Sequence, residues 1–253
     1  MTHVSLFTGI GGLDLAAEWA GFETILQVER EPFPLQVLAK HWPDVPRITN
    51  IKEVTGGSVT RPVTVVSGGF PCQPFSTAGK KRGKKDDRYL WPEMLRVIKE
   101  LQPTWIVAEN VENAVRVVLD EILDDLENGG YSAQAYVVSA YCSGAWFKGN
   151  RTFIVATANH GSTPMRGNAQ FQTDATVDGC WADRRHGTSL IDSRKRWEIE
   201  PRPYGVAHGI PRRVDRLRSL GNAVVPQQAY PIFEAIAKAE DLFTLDANPT
   251  PAQ

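Results

Sequence analysis

The sequence predicts an α/β fold in which a mostly parallel sheet is covered by helices on both faces. Short apolar runs rich in Val, Ile and aromatics alternate with stretches of helical spacing through the first 158 residues. The first of these runs passes directly into a glycine-rich turn that opens a helix. The chain's 253 residues, 42% hydrophobic and 23% charged, suit one such folded unit with a small attached lobe.

Residues 4–7 read as the first strand, and FTGIGGLDLA then places Gly9, Gly11 and Gly12 in the turn before a helix at 12–20. A strand at 24–28 precedes a helix at 32–41 that begins on Pro32, and a strand at 63–67 follows. The pattern continues with a helix at 90–101, a strand at 105–108 and a helix at 113–128 stopped by Gly129 and Gly130. Strands at 135–139 and 152–158 complete it. Beyond Ala158 the rhythm fails: residues 160–202 are polar and irregular, carry isolated Trp181 and Trp197, and read as a separate lobe or long functional insertion. A last helix at 227–239 follows Pro226, and the tail from 248 is expected to fray. The expected division is therefore 1–158, 159–202, 203–245 and a flexible 246–253.

Three widely spaced cysteines, Cys72, Cys142 and Cys180, form no CxxC pair, so neither a disulfide framework nor a cysteine zinc site is expected. A reducing, intracellular setting follows, and the absence of a leader pattern or a membrane-length apolar run predicts a soluble, cytoplasmic protein. The formal net charge is only −1, so any nucleic-acid signal must be local. Two basic patches stand out: Lys80, Lys81, Arg82, Lys84 and Lys85, and Arg212, Arg213, Arg216 and Arg218. Charge patterning alone fits a solvated face equally well.

Glu29 ends the second strand about 20 residues after Gly9, where an acid can bind a ribose hydroxyl pair. A tight turn alone also explains the glycines, but turn and acid together point to an adenosine cofactor. The third glycine of the dinucleotide fingerprint is missing, since Asp14 follows, which disfavours a nicotinamide oxidoreductase. In SGGFPCQPFS, Pro71 and Pro74 stiffen a loop at the carboxyl end of a strand, the edge where ligands bind in such sheets. A single cysteine is usually a buried, inert thiol, whereas Cys72 sits between prolines ahead of a basic run that favours thiolate and attracts phosphate. Glu109 and Asn110 end the strand at 105–108, so Glu109 can approach Cys72 in space. A carboxyl ending an apolar strand can hold a proton to donate; a helix-capping pair is the alternative.

These motifs, taken in order, resemble the cytosine-5 DNA methyltransferases over nearly the whole chain. FTGIGG matches that family's cofactor loop, GGFPCQPFS its nucleophile loop, DDRYL the cofactor-side segment, AENV the acid motif, RTFIVA the arginine strand and RLRSLGNAVVP the closing motif. The resemblance implies a Rossmann-like fold that uses S-adenosylmethionine, with the irregular lobe serving target recognition. It implies a monomer acting on double-stranded DNA in a prokaryotic or phage-infected cell, within restriction–modification or as an orphan enzyme. Cys72 would attack cytosine carbon 6, Glu109 would protonate ring nitrogen 3, Arg151 would hold the base carbonyl and Asn110 would complete the acid motif. Phe7, Gly9, Gly11, Gly12, Leu13, Glu29, Asn50, Leu90, Asn222 and Val224 would surround the cofactor. Ser76, the lysine-rich run after it, Arg212 and Arg213 would contact nucleic acid, with Arg184, Arg185, Arg194 and Arg196 reading the target. The base must be flipped out of the duplex, and the lysine-rich loop resembles the lid that closes over it.

Two positions depart from the family pattern. Gly149 stands where the first of two arginines is expected, with Lys148 as a partial substitute, and Asn50 stands where an aspartate usually contacts adenine. Transfer-RNA cytosine-5 methylation and a catalytically silent DNA-binding role are the competing readings. The length of 160–202 favours DNA, and an intact Cys72 and Glu109 disfavour silence.

Overall fold

The computed structural model describes residues 1–71, 89–111, 115, 117–145, 147–159 and 211–247. Its sheet contains β1 (Thr2–Leu6), β2 (Glu23–Val28), β3 (Arg47–Ile48), β4 (Val65–Gly68), β5 (Trp105–Val111), β6 (Tyr131–Val138) and β7 (Arg151–Ala158). They lie in the order β3-β2-β1-β4-β5-β7-β6. Neighbours pair in parallel from β3 through β5, whereas β7 is antiparallel to both β5 and β6. β7 thus runs against the other strands of a sheet that is otherwise parallel, in keeping with the mostly parallel expectation.

The helices are α1 (Gly12–Trp19), α2 (Pro32–His41), α3 (Trp91–Leu101), α4 (Leu119–Asn128), α5 (Arg213–Asn222) and α6 (Pro226–Ala247). Successive strand residues point to opposite faces of the sheet, and each face builds its own core. Val4, Leu6, Val66, Ile106 and Ile154 pack with Trp91, Met94 and Ile98 of α3 and Ile122 and Leu126 of α4. Val65, Val107 and Phe153 pack on the other face with Leu13, Ala16 and Ala17 of α1 and Phe233 and Ile236 of α6. Trp91, Met94 and Ile98 recur at helical spacing, which is why the segment folds as α3, and Pro92 in its first turn costs no hydrogen bond. Gly130, at φ +85°, supplies the reversal after α4 in the left-handed conformation glycine adopts at least cost.

Several expected boundaries shift. β3, only two residues long, is too short for its period to show in the sequence. β6 begins at Tyr131 rather than 135, because pairing with β7 carries it along the sheet edge past the β-branched run. The helix expected over 113–128 is interrupted: Val115 is helical, Val117 and Val118 form a turn, and α4 begins at Leu119. α6 continues to Ala247 despite the internal Pro231, eight residues past the expected end.

One polar group is buried deep in this frame. His3 bridges three strands, its ring nitrogens lying 2.8 Å from Thr24 Oγ1 and 2.7 Å from Ser67 Oγ, and burial pushes its pKa down to about 3. The imidazole is therefore neutral and structural, holding β1 to its neighbours β2 and β4.

Candidate active site

β1, β2, β4 and β5 all point their carboxyl ends at one cleft of about 1500 Å³. An ordinary small-ligand pocket holds roughly 300–1,000 Å³, so the volume admits a nucleoside-sized cofactor and a second ligand side by side. Its walls come from distant segments: the turn after β1, the start of α2, the loop after β4, the end of β5, Arg151 of β7 and residues 212–224.

The turn after β1 is shaped by close contacts. Phe7 adopts φ +51° and Gly9 φ +58°, left-handed conformations that open the backbone of the turn. A Cβ on Gly12 would lie 2.7 Å from the Val224 carbonyl oxygen, so the missing side chain lets residues 222–224 close against the start of α1. Gly11 serves differently. A Cβ there would fall 2.4 Å from the Trp42 ring, so its smallness and φ +87° serve packing against α2, and Gly11 is not among the residues that line the cleft.

Glu29 is fixed by backbone donors. Gly9 N–H donates to its Oε2 at 2.7 Å, while Arg30 and Glu31 N–H donate to Oε1 at 2.8 and 2.7 Å. A carboxylate offers about four acceptor positions, so capacity remains for a diol in the cleft it lines. Asn50 also lines the cleft; its Oδ1 accepts from Lys52 N–H at 3.1 Å, retaining a second lone pair. Beneath the turn, Asp14 of α1 accepts from Ser5 Oγ and Gln27 Nε2 at 2.7 and 2.9 Å. Burial raises its pKa to about 6 against those hydrogen bonds. The residue that breaks the dinucleotide fingerprint thus braces the turn from below.

The opposite end of the cleft carries the acid. Glu109 is buried, and desolvation raises its carboxyl to about 7, with the Arg151 guanidinium pulling it back. In the β5–β7 register Val111 faces Arg151 and Glu109 faces Phe153, so Glu109 and Arg151 are diagonal neighbours on one face. Arg151 Nε lies 3.1 Å from Glu109 Oε1, and an Arg151 Nη donates to the Ala223 carbonyl at 3.3 Å. A Cβ on Gly69 would lie 2.8 Å from Glu109 Oε2, so the second glycine of the GG pair makes room for the acid.

Asn110 turns to the other side of the strand, where its Nδ2 donates to the Phe70 carbonyl at 2.6 Å. Phe70 itself is anchored against Trp91, with ring centroids 5.4 Å apart. Asn110 and Phe70 thereby tie β5 to the backbone that leads into Cys72.

Phe7, Gly9, Gly12, Leu13, Glu29, Asn50, Leu90, Glu109, Asn110, Arg151, Asn222 and Val224 all line this one cleft, as the sequence reading grouped them. Arg212 lines it too and hydrogen-bonds Gln36 of α2, while half-buried Arg213 is outside the wall. Cys72, Ser76, Lys80, Lys81, Arg82, Lys84, Lys85, Arg184, Arg185, Arg194 and Arg196 fall outside the described residues. Gly69 was legible as half of a glycine pair beside the Pro-Cys loop. Trp42 and Gln228, introduced by folding from distant segments, gave no local signal.

Comparison with known proteins agrees with this arrangement. The family described as C-5 cytosine-specific DNA methylase matches residues 1–179. The type II methyltransferase M.AquIA of Picosynechococcus is 34% identical over 173 residues, 60% of this chain and 70% of that protein. M.HgiBI of Herpetosiphon aurantiacus is 32% identical over 157 residues, covering 60% of this chain and 36% of its own length. M.NgoMIV of Neisseria gonorrhoeae is 37% identical over 127 residues, 50% of this chain and 39% of that protein, so the chain spans well under half of these two relatives. Among solved structures, the S. pombe Dnmt2 methyltransferase superposes with a TM-score of 0.53 at 20% identity, over 71% of this chain and 57% of that one, a likeness of fold. With the matched family covering more than two thirds of its length, and the Glu29 and Glu109 ends of one cleft built as described, the chain belongs to the C-5 cytosine-specific DNA methylases.

Proposed function

We propose that this protein transfers a methyl group from S-adenosylmethionine to carbon 5 of a cytosine flipped out of a short double-stranded DNA site. The observation that carries the proposal is Glu109, a buried acid raised to about 7 and paired with Arg151, in the same cleft as the glycine turn and Glu29. The cofactor half fits: the turn has an open backbone at Gly9, Glu29 retains acceptor capacity for a ribose diol, and the Asn50 carbonyl can take an adenine amino proton. Bound there, S-adenosylmethionine supplies an electrophilic methyl group.

The chain's own residues make the cytosine ring receptive. The Cys72 thiolate adds to carbon 6 while Glu109, protonated, donates to ring nitrogen 3, which leaves carbon 5 electron-rich. Arg151 holds the ring carbonyl and limits how far burial raises Glu109. Carbon 5 then takes the methyl group, and loss of its proton, expulsion of the Cys72 thiolate and return of the nitrogen 3 proton to Glu109 restore the aromatic ring. Sulfur suits this role because it both attacks and leaves readily. Flipping the base costs a few kcal/mol, offset by contacts in the pocket and by lysines 80, 81, 84 and 85 acting on phosphate. Residues 160–202 are assigned to target recognition, and the names of the type II relatives favour restriction–modification.

Incubation with mixed duplex DNA and labelled cofactor, followed by bisulfite sequencing, tests the proposal. 5-Methylcytosine at one short recurring site is expected, and Cys72→Ser should abolish it while cofactor affinity stays near normal. Label in transfer RNA but not in duplex DNA would replace the substrate; full activity in Cys72→Ser would remove the covalent route.

A further inference from the structure

We propose that Gln228 is a positioning residue for the Arg151–Glu109 pair, acting through the β6–β7 turn. The inference rests on the reading of that pair as the base-activating group. Gln228 lies in the first turn of α6, and only 2% of it is exposed. Its Nε2 donates to the Val138 carbonyl at 2.9 Å and to the Gly149 carbonyl at 3.0 Å. Val138 ends β6, and Gly149 stands two residues before Arg151, the first residue of β7. A single amide thus uses both of its protons to clamp the two sides of the turn that launches Arg151.

Two features make that turn dependent on the clamp. Gly149 sits at φ +41°, and a Cβ there would meet the Phe147 ring at 2.7 Å and Ala140 at 3.2 Å, so a side chain cannot brace this position. The other described ties across the turn are the Lys148 carbonyl, to which Ala140 N–H and Ser139 Oγ each donate at 2.8 Å, and the Val138–Arg151 pair that ends the β6–β7 ladder. The Gln228 amide bonds Gly149, between Lys148 and Arg151, and so holds the backbone step that leads into β7. The same segment of chain holds Arg151 a second time, through the Ala223 carbonyl at 3.3 Å. Residues 223–228 therefore fix Arg151 directly and through its turn, and Arg151 in turn sits 3.1 Å from Glu109.

The consequence is read at Glu109. Among the described residues, Arg151 is the charged group acting on this carboxyl, drawing it down against desolvation, with Gly69 of the loop after β4 and β7 packed around it. If the turn loosens, Arg151 spends less time at Glu109, and the carboxyl titrates at higher pH.

The test uses Gln228→Met, which keeps the length and removes both donors, and Gln228→Asn, which keeps an amide too short to span both carbonyls. The titration of Glu109 is followed in the free protein by carbon-13 NMR of labelled glutamate carboxyls, assigned with Glu109→Gln. An upward move on the order of half a pH unit or more is expected in the variants, together with a fall in kcat at unchanged cofactor affinity. In an Arg151→Ala background, Gln228→Met should add little further loss of kcat, since its effect runs through the arginine. A lowered melting temperature with Glu109 titrating as in the unaltered protein, or losses that multiply in the double variant, would overturn the assignment. The NMR readout needs no substrate, so a shifted Glu109 in a protein that does not methylate cytosine would sink the activity while sustaining the clamp.

Discussion

In the proposed mechanism, the proton on Glu109 decides whether the site can activate a base. Burial holds the carboxyl near 7, above its ordinary value of 4.5, so at neutral pH a large fraction carries the proton that a free glutamate would have lost. Because the proposed mechanism needs Glu109 protonated and Cys72 as thiolate, the rate within the enzyme–DNA complex should pass through a maximum, falling at lower pH as the thiolate is protonated and falling above about pH 7 as Glu109 ionises. Single-turnover kcat profiles of the unaltered protein and of Glu109→Gln check this: the fall above about pH 7 should be present in the first and absent in the second, and an alkaline limb that persists in Glu109→Gln would show that Glu109 is not the group that must hold the proton. Glu109→Gln should lose on the order of 10²- to 10⁴-fold in kcat with DNA affinity retained, since the amide keeps the shape and lacks the acidic proton. The linkage has a cost in stability. The folded carboxyl titrates above the unfolded one, so the fold favours the protonated form, and Glu109's contribution declines as pH rises from 4.5 through 7. The sequence singled out Glu109 because a carboxyl ended an apolar strand, and the family resemblance named Arg151, but the pairing of the two required the β5–β7 register.

At the scale of elements, the cleft depends on how the closing segment meets the first turn. Gly12 is already helical, where alanine would ordinarily be the better helix former by about 1 kcal/mol. Here the added methyl would lie 2.7 Å from the Val224 carbonyl and 2.8 Å from its Cγ1, so the clash outweighs propensity. Gly12→Ala should destabilise the protein by about 1–3 kcal/mol and weaken cofactor binding, measured by thermal melting and calorimetry. A stabilised variant with unchanged affinity would mean that residues 222–224 do not press on the turn. The main strands and helices were legible because their periods were long enough to read. β3 was not, since two residues carry no period, and its place is set instead by Arg47, whose Nε donates to Gln27 at 3.0 Å. The break before α4 was not legible either: Ile122 and Leu126 define the helix, and Val117 and Val118 turn between it and helical Val115.

For the whole molecule, the catalytic and the reading functions are assigned to different stretches of chain. Phosphate contacts position a protein on DNA and base contacts specify the site, so one stretch can change while the other stays. Alanine at Arg184, Arg185, Arg194 or Arg196 should relax or redirect the methylated sequence in at least one case, by about 1–3 kcal/mol per lost base contact. Alanine at Lys80 and Lys81 should instead weaken binding to all sequences and flatten its salt dependence. Bisulfite-mapped preference that survives every arginine change would assign recognition elsewhere. The sequence separated these stretches by rhythm alone: regular through Ala158, irregular over 160–202. The resemblance to the family placed Asn222 and Val224, which follow the irregular stretch, beside the cofactor with Gly9 and Glu29, and both wall the same cleft; that Asp215 and Ser219 join them there gave no signal in the sequence.

The central claim is that Cys72 attacks a cytosine that Glu109 has primed. A duplex carrying the recognised site with 5-fluorocytosine at the target tests it most directly, because fluorine cannot depart as the carbon 5 proton does. In the presence of S-adenosylmethionine, a denaturant-stable protein–DNA adduct should accumulate, with the DNA-bearing peptide containing Cys72, and Cys72→Ser should form none. An enzyme that methylates ordinary cytosine at that site yet leaves no adduct on the fluorinated duplex would contradict the account.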